Sequence, residues 1–408
     1  MMGERPHPDP ATARPCRLLA FAPNTWEGQW MNRQQLLSRL ARVHEIVYTN
    51  GLWSVWARGK PDFETSPLLG DFEQHDGVWV DRAPKLLLRW PAHPMWDNIA
   101  VRLAVTRWRR RLATLGTGPL ISYVFHPMYA RYAERVGADM LVYHPYDLFS
   151  QTPDWTAENG AEESRLLARC SLAITSSEPS REALQRRTDR PVFCVPNGVD
   201  AEFFVKGPDQ AAPEDIARIP RPRIGYVGSL NRKVDFALVA KLASMEPSWQ
   251  LVLIGPDGSL DDASRASIEA CRRLPNIHFL GSKAMHELPA YMGALDVGVM
   301  CYRQDTWMDY GYPLKLHEYL AVGLPVVSTA LPSIRDYDPW IEIASDAQSW
   351  RDAIARSLNG QVRGNRAERQ AVARRNTWDL RVATLQQILG SALDQSVATA
   401  SLQQSPAV

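Results

Sequence analysis

One stretch constrains this chain more than any other: Tyr-Pro-Leu-Lys-Leu-His-Glu-Tyr-Leu-Ala-Val-Gly-Leu-Pro-Val-Val-Ser-Thr at 312–329. It predicts a helix opened by glycine and proline and followed at once by a buried strand. Gly311 frees the turn, and Pro313 fixes φ at the first helical position. Gly323-Leu-Pro stops the helix, and 326–329 is β-favouring. Lys315 and Glu318, three apart, share one helical face near the amino end. Free N–H groups there, beside a lysine, suit a diphosphate. A nearby glutamate accepts hydrogen bonds from sugar or ribose hydroxyls.

Similar strand–helix alternation runs through all 408 residues, a length that fits two domains. Strand-like runs are predicted at 16–22, 44–49, 120–125, 139–143, 172–175 and 192–195, with helices at 31–43 and 162–168. This is the pattern of parallel α/β layers. The polar, proline-rich stretch 205–222 reads as the interdomain linker. The run 394–408, rich in Ala, Ser and Gln, reads as a disordered tail. Lys+Arg 46 against Asp+Glu 45 demands no nucleic-acid partner. The five cysteines are scattered, without a Cys-x-x-Cys pair, which favours a reduced, cytoplasmic protein. No apolar run approaches the length of about 18 residues that spans a bilayer. The first fifteen residues lack the apolar segment of a signal peptide.

In an open α/β sheet, ligands sit at the carboxyl ends of strands. That rule selects Gly228, Ser229, Arg232 and Lys233 after one strand, Gly255 after the next, and Ser282 and Lys283 after a third. In the first half it selects 23–30, where Gly28 admits close backbone approach and Trp26 and Trp30 offer faces for sugar rings. Arg33 follows at a helix start, suited to an acceptor phosphate. His126 and His144 each follow a strand, and Asp147 lies near the second. The run 102–111 holds Arg102, Arg107, Arg109, Arg110 and Arg111 with Trp108, a helix face suited to anionic lipid. Gly-x-Gly-x-x-Gly, Walker A, His-Glu-x-x-His and Gly-x-Ser-x-Gly are all absent, so dehydrogenase, phosphate-loop NTPase, zinc peptidase and α/β-hydrolase readings have no motif.

The helix at 312–329 resembles the donor-site helix of GT-B glycosyltransferases, most closely the retaining family 4 and its bacterial polysaccharide branch. Further resemblances follow in family order: Pro-Asn-Gly-Val-Asp at 196–200, Arg-Ile-Gly-Tyr-Val-Gly-Ser-Leu at 223–230, 250–256, 276–281, 288–299, and Asn-Thr-Trp-Asp-Leu-Arg-Val at 376–382. The resemblance implies two Rossmann-like parallel-sheet domains facing across a cleft: an acceptor domain at 1–204 and a nucleotide-sugar domain at 223–375. A crossover helix at 376–393 returns to the first domain. It implies transfer of a sugar from a nucleotide diphosphate sugar to a glycan, lipid-linked glycan or other hydroxyl acceptor, with retention and without a metal or other cofactor.

The donor would meet Gly228, Ser229, Arg232, Lys233, Gly255, Ser282, Lys283, Asp309, Tyr310, Tyr312, Leu314, Lys315 and Glu318. The acceptor would meet Trp26, Gly28, Arg33 and His126. His144, Asp147 and Glu318 would serve the reaction. The family pairs two acids; Glu318 matches the second, Tyr310 occupies the place of the first, and Asp309 adjoins it. Membrane contact through Arg102 to Arg111 would keep the enzyme at the inner face of the membrane. A nucleotide-sugar 2-epimerase of the same fold, or a silent nucleotide-sugar-binding subunit, are the alternatives.

Overall fold

The apolar runs become strands of two separate sheets in a computed structural model, which describes residues 15–28, 30–305 and 307–403. The chain falls into two units. Unit 1 holds residues up to Pro196 and again from Arg381, and unit 2 holds Asn197–Leu380.

Unit 1 carries β1 (Arg17–Phe21), β2 (Glu45–Thr49), β3 (Asp71–His75), β4 (Val78–Arg82), β5 (Leu120–Val124), β6 (Met140–Tyr143), β7 (Leu172–Thr175) and β8 (Val192–Cys194). Their order is β3-β4-β2-β1-β5-β6-β7-β8, parallel except for β3, which runs antiparallel to β4 at one edge. Every residue of β5 and β7 is buried, as expected of strands covered on both faces. Sequence reasoning missed β3, whose residues are mostly polar and half-exposed or exposed, and β4, whose apolar run Val78-Trp79-Val80 is only three residues long.

Unit 2 carries β9 (Arg223–Val227), β10 (Gln250–Ile254), β11 (Ile277–Gly281), β12 (Val297–Met300), β13 (Val326–Thr329) and β14 (Glu342–Ala344). All are parallel, in the order β11-β10-β9-β12-β13-β14. The direction of winding reverses between β9 and β12, and in unit 1 between β1 and β5. The crevice at such a reversal, beyond the carboxyl ends of the strands, is where this architecture holds ligands.

Three expectations about organisation change. The stretch 205–222 lies inside unit 2, because its apolar residues are core: Ile216 and Ile219 are buried among the unit 2 hydrophobics. The division falls at Pro196/Asn197. The helix expected at 376–393 runs from Trp378 to Gln403, and from Arg381 it groups with unit 1. Its extension takes in the supposed tail, whose alanine content is compatible with helix. Residues 404–408 and the first fourteen residues, on which the expectation about a signal peptide falls, lie outside the described ones.

Candidate active site

The core of unit 2 places the Lys315–Val322 helix directly against the reversal point. Tyr319 anchors it: its hydroxyl accepts from the Val227 N–H at 2.8 Å and donates to the Gly225 carbonyl at 3.3 Å, at the end of β9. Gly323 closes the helix with φ 86°, as its sequence position predicted. The loop before the helix is tied from the other side. The Asn197 amide donates to the Tyr312 carbonyl at 2.9 Å, and the Tyr312 hydroxyl bonds His317 Nε2 at 2.8 Å and Tyr337 at 3.2 Å.

The Pro-Asn-Gly-Val-Asp segment thus has a mechanical role. A Cβ at Gly198 would stand 2.7 Å from the Trp378 nitrogen, so only glycine lets these backbones meet. Tyr312 is buried and its hydroxyl is bonded within the unit, so its side chain is not open as a donor contact would be.

Lys315 sits at the amino end of this helix with its Nζ 2.6 Å from the Tyr302 hydroxyl and 3.3 Å from that of Tyr226. Tyr226 belongs to β9 and Tyr302 follows β12, so the ammonium bridges the two strands that flank the reversal. Surrounding protein disfavours its charge, but the phenol oxygens of Tyr226 and Tyr302 outweigh this and hold its pKa above the ordinary lysine value. It is a fixed cation. Gly228 makes room for it: a Cβ there would lie 3.0 Å from Lys315 Cε and Nζ, and the backbone has φ 147°.

Glu318, one turn along and partly exposed, has no hydrogen-bond partner for its carboxylate among the described residues. Desolvation raises its pKa to about 7 against the pull of Lys315. A cation fixed at the helix start and an acid wanting donors, side by side, fit a phosphate joined to a polyol.

The remaining donor candidates divide. Gly255 (φ 149°) abuts the Gly228 carbonyl, and Ser229 lies in the same loop. Arg232 and Lys233 lie over Trp307, with Lys233 Nζ 3.9 Å from the ring centre. Ser282 is exposed, whereas Lys283 is paired with Asp215 at 2.7 Å, and Asp215 also accepts from Tyr291 at 2.8 Å. That ion pair occupies the Lys283 side chain expected for base recognition. Asp309 is exposed and Tyr310 partly so, in the turns that precede the helix, and Leu314 is its half-exposed first cap.

The reversal in unit 1 gathers a second set. Trp26 is buried, its indole N–H 3.2 Å from Asp76, so it offers no open face for a sugar, whereas Trp30 is exposed. Gly28 is exposed. Arg33 is buried with its guanidinium 5.4 Å from the Tyr146 ring centre. His126 is half-buried; desolvation lowers its pKa to about 4, and its Nδ1 accepts from the Met128 N–H at 3.2 Å. Asp147 is half-exposed.

His144 departs furthest from expectation. It is fully buried, its Nδ1 2.5 Å from the Tyr123 hydroxyl and its ring stacked on Phe125. Desolvation lowers its pKa to about 3. The strand-end position carries the ring into the core, where its Nε2 has no hydrogen-bond partner among the described residues.

The arginine run is also less uniform than it read. Trp108 is buried with its N–H 2.6 Å from Asp81, Arg107 pairs with the same Asp81, and Arg111 lies 3.7 Å over Trp79. Only Arg102, Arg109 and Arg110 face solvent. Sequence reasoning missed Tyr226, Tyr302 and Tyr319. Their signal was a tyrosine at the end of each strand flanking the reversal, and one on the buried face of the helix.

Residues 221–359 match the family model described as Glycosyl transferases group 1. TuaH of Bacillus subtilis (strain 168), whose assignment as a teichuronic acid biosynthesis glycosyltransferase is itself provisional, is 33% identical over 176 residues. That match takes in 42% of this chain and 43% of TuaH. The glycosyltransferase EpsF of the same organism, its assignment likewise provisional, is 30% identical over 179 residues, 41% of this chain and 44% of EpsF. The chain thus spans less than half the length of these relatives.

Among solved structures, Anabaena HepE in complex with UDP and glucose superposes with TM-score 0.67 at 18% identity, covering 92% of this chain and 99% of that one. The trehalose 6-phosphate synthase of Burkholderia multivorans gives TM-score 0.64 at 14% identity, covering 97% and 99%. Two Rossmann-like parallel sheets and these superpositions give the GT-B fold over more than nine-tenths of the chain, and the segment 221–359 is similar to the group 1 glycosyl transferases.

Proposed function

We propose that the chain moves a sugar from a nucleotide diphosphate sugar to a hydroxyl of a glycan or lipid-linked glycan. The observation that carries this reading is the pairing of Lys315 with Glu318 at the reversal point of unit 2. Lys315 and the helix amino end hold the diphosphate, as charge-assisted bonds from a cation that cannot lose its proton. Glu318 accepts from the ribose hydroxyls. Gly228 and Gly255 let the backbone come close to the phosphates. Uridine is the base to try first, because HepE is a complex with UDP, and a polysaccharide acceptor follows from the assignment of TuaH.

By family resemblance, the leaving nucleotide and the attacking hydroxyl use the same face of the sugar, and configuration is retained. The cationic helix start supplies the charge stabilisation that a metal supplies elsewhere. Among the described residues no group of three His, Cys, Asp or Glu is placed to hold a metal ion. The test is incubation of the purified chain with a panel of nucleotide sugars, following slow donor hydrolysis and nucleotide affinity. UDP-sugars should be consumed by the wild type and spared by Glu318→Ala. Equal turnover by that variant at saturating donor would sink the assignment.

A further inference from the structure

Unit 1 carries a surface that the proposed reaction leaves unused. Most of the large hydrophobic side chains exposed among the described residues come from 56–103, including Trp56, Leu68, Leu69, Leu86, Met95 and Leu103. Leu69 and Met95 keep 77% and 80% of their surface in solvent. Hydrogen bonds gather the segments that bear them: Leu86 N–H to the Leu68 carbonyl at 3.2 Å, Val55 N–H to the Arg89 carbonyl at 2.9 Å, and Trp96 Nε1–H to the Leu88 carbonyl at 2.9 Å. The patch is therefore one region.

Its largest element is the helix Pro94–Ala113. Met95, Ile99 and Leu103 recur at helical spacing on its exposed side, and Arg102, Arg109 and Arg110 continue that side toward the carboxyl end. The helix has one carboxylate, Asp97, which is buried and paired with Arg89 at 2.6 Å. At the basic end, Arg109 and Arg110 join Arg17 around a concavity that also includes Asp139. The exposed acids nearest in sequence, Asp71 and Asp76, lie off this helix and are each engaged: Asp71 stands 3.8 Å from Arg82, and Asp76 accepts from the Trp26 indole N–H at 3.2 Å.

We propose that this face docks in the plane of a bilayer that contains anionic lipid. Apolar side chains and tryptophans next to arginines, with no exposed acid on the helix, match the boundary between acyl chains and negative headgroups. With a net charge of only +1, the attraction is local to this helix. No helix among the described residues is long and apolar enough to cross a membrane, so the contact is peripheral. A second copy of the chain is a poorer occupant, because a two-fold contact would set the same arginines against one another.

The test is cosedimentation of the full chain with phosphatidylcholine vesicles, with and without phosphatidylglycerol. Binding should be about tenfold stronger to the anionic vesicles, and L69S/M95S/L103S should weaken it about tenfold. R102E/R109E/R110E should abolish the preference for phosphatidylglycerol. UDP affinity, measured in parallel, should be unchanged in both variants and reports that they fold. Absence of binding to either vesicle would overturn the proposal, as would binding that survives the apolar substitutions. So would concentration-dependent dimerisation in ultracentrifugation that L69S/M95S/L103S removes.

Discussion

Lys315 in unit 2 and Arg33 in unit 1 look alike on paper and behave differently in the fold. Each stands in the first turn of a helix after the loop at a sheet reversal, and each is surrounded by tyrosines: Tyr226 and Tyr302 for the lysine, Tyr48 and Tyr146 for the arginine. The lysine keeps an open side and has Glu318 one turn away. The arginine is 2% exposed, and its Nε has no hydrogen-bond partner among the described residues. A cation at a helix start is a ligand site only where solvent, and therefore ligand, reaches it. Arg33 spends its guanidinium on phenol rings inside the fold, so its contribution is to packing.

The strongest way to break this comparison is nucleotide affinity. Lys315→Ala should lose about 100-fold in UDP affinity, roughly 3 kcal/mol, as removal of a charge-assisted contact to a diphosphate. Arg33→Ala should stay close to wild type in the same calorimetric titration; a comparable loss there would erase the distinction. Unfolding free energy should respond in the opposite sense. Arg33→Ala should cost about 2–3 kcal/mol through the cavity it leaves, while Arg33→Met, which keeps the stem without the charge, should recover most of it. Chemical denaturation of the two variants checks this.

Gly228→Ala sharpens the picture around the lysine. Its methyl would press on Lys315 Cε and Nζ at 3.0 Å in a backbone conformation that side chains rarely adopt. We expect a loss of about 1–2 kcal/mol in UDP affinity, with the thermal transition lowered by only a few degrees.

The smallest effect is on pH dependence. Glu318 has a folded pKa of about 7, above its unfolded value, so the folded chain holds the extra proton. The stability this lends is complete below the unfolded carboxylate range and is lost as pH rises through about 7. Ribose hydroxyls donate to the carboxylate form, so UDP affinity should rise a few-fold between pH 6 and pH 8. Glu318→Gln should flatten that rise. A wild-type profile as flat as that of the variant would remove Glu318 from the site.

The central strands of both sheets were legible because buried parallel strands are continuous apolar runs, and 172–175 and 326–329 fall where β7 and β13 begin and end, whereas the edge strands β3 and β14, and β4 beside β3, were not. The helix Lys315–Val322 was legible because its signals are backbone signals: Gly323 closes it as expected, while Pro313, expected at the first helical position, stands just before the Leu314 cap. Side-chain destinations were not. Lys283 looked like a free cation until Asp215, 68 positions away, came to meet it. Trp108 and Arg107 looked like a basic face, yet Asp81 draws both inward. His144 follows a strand as a ligand-contacting residue would, but its chain neighbours give no hint that Phe125 covers it. Long-range partners decide these cases, and no local pattern encodes them.

The first and last segments of unit 2 are fastened to each other. The Val199 N–H donates to the Asn376 carbonyl at 3.0 Å, and the Trp378 N–H returns to the Val199 carbonyl at 3.2 Å. During synthesis this sets an order. Residues 197–380 leave the ribosome as a stretch whose ends already find one another, so its six-stranded sheet needs nothing made later. Unit 1 is begun first yet completed last, since it draws on residues from Arg381 onward. Its buried Leu385, Leu389 and Leu393 arrive only after a whole domain has been folded in between.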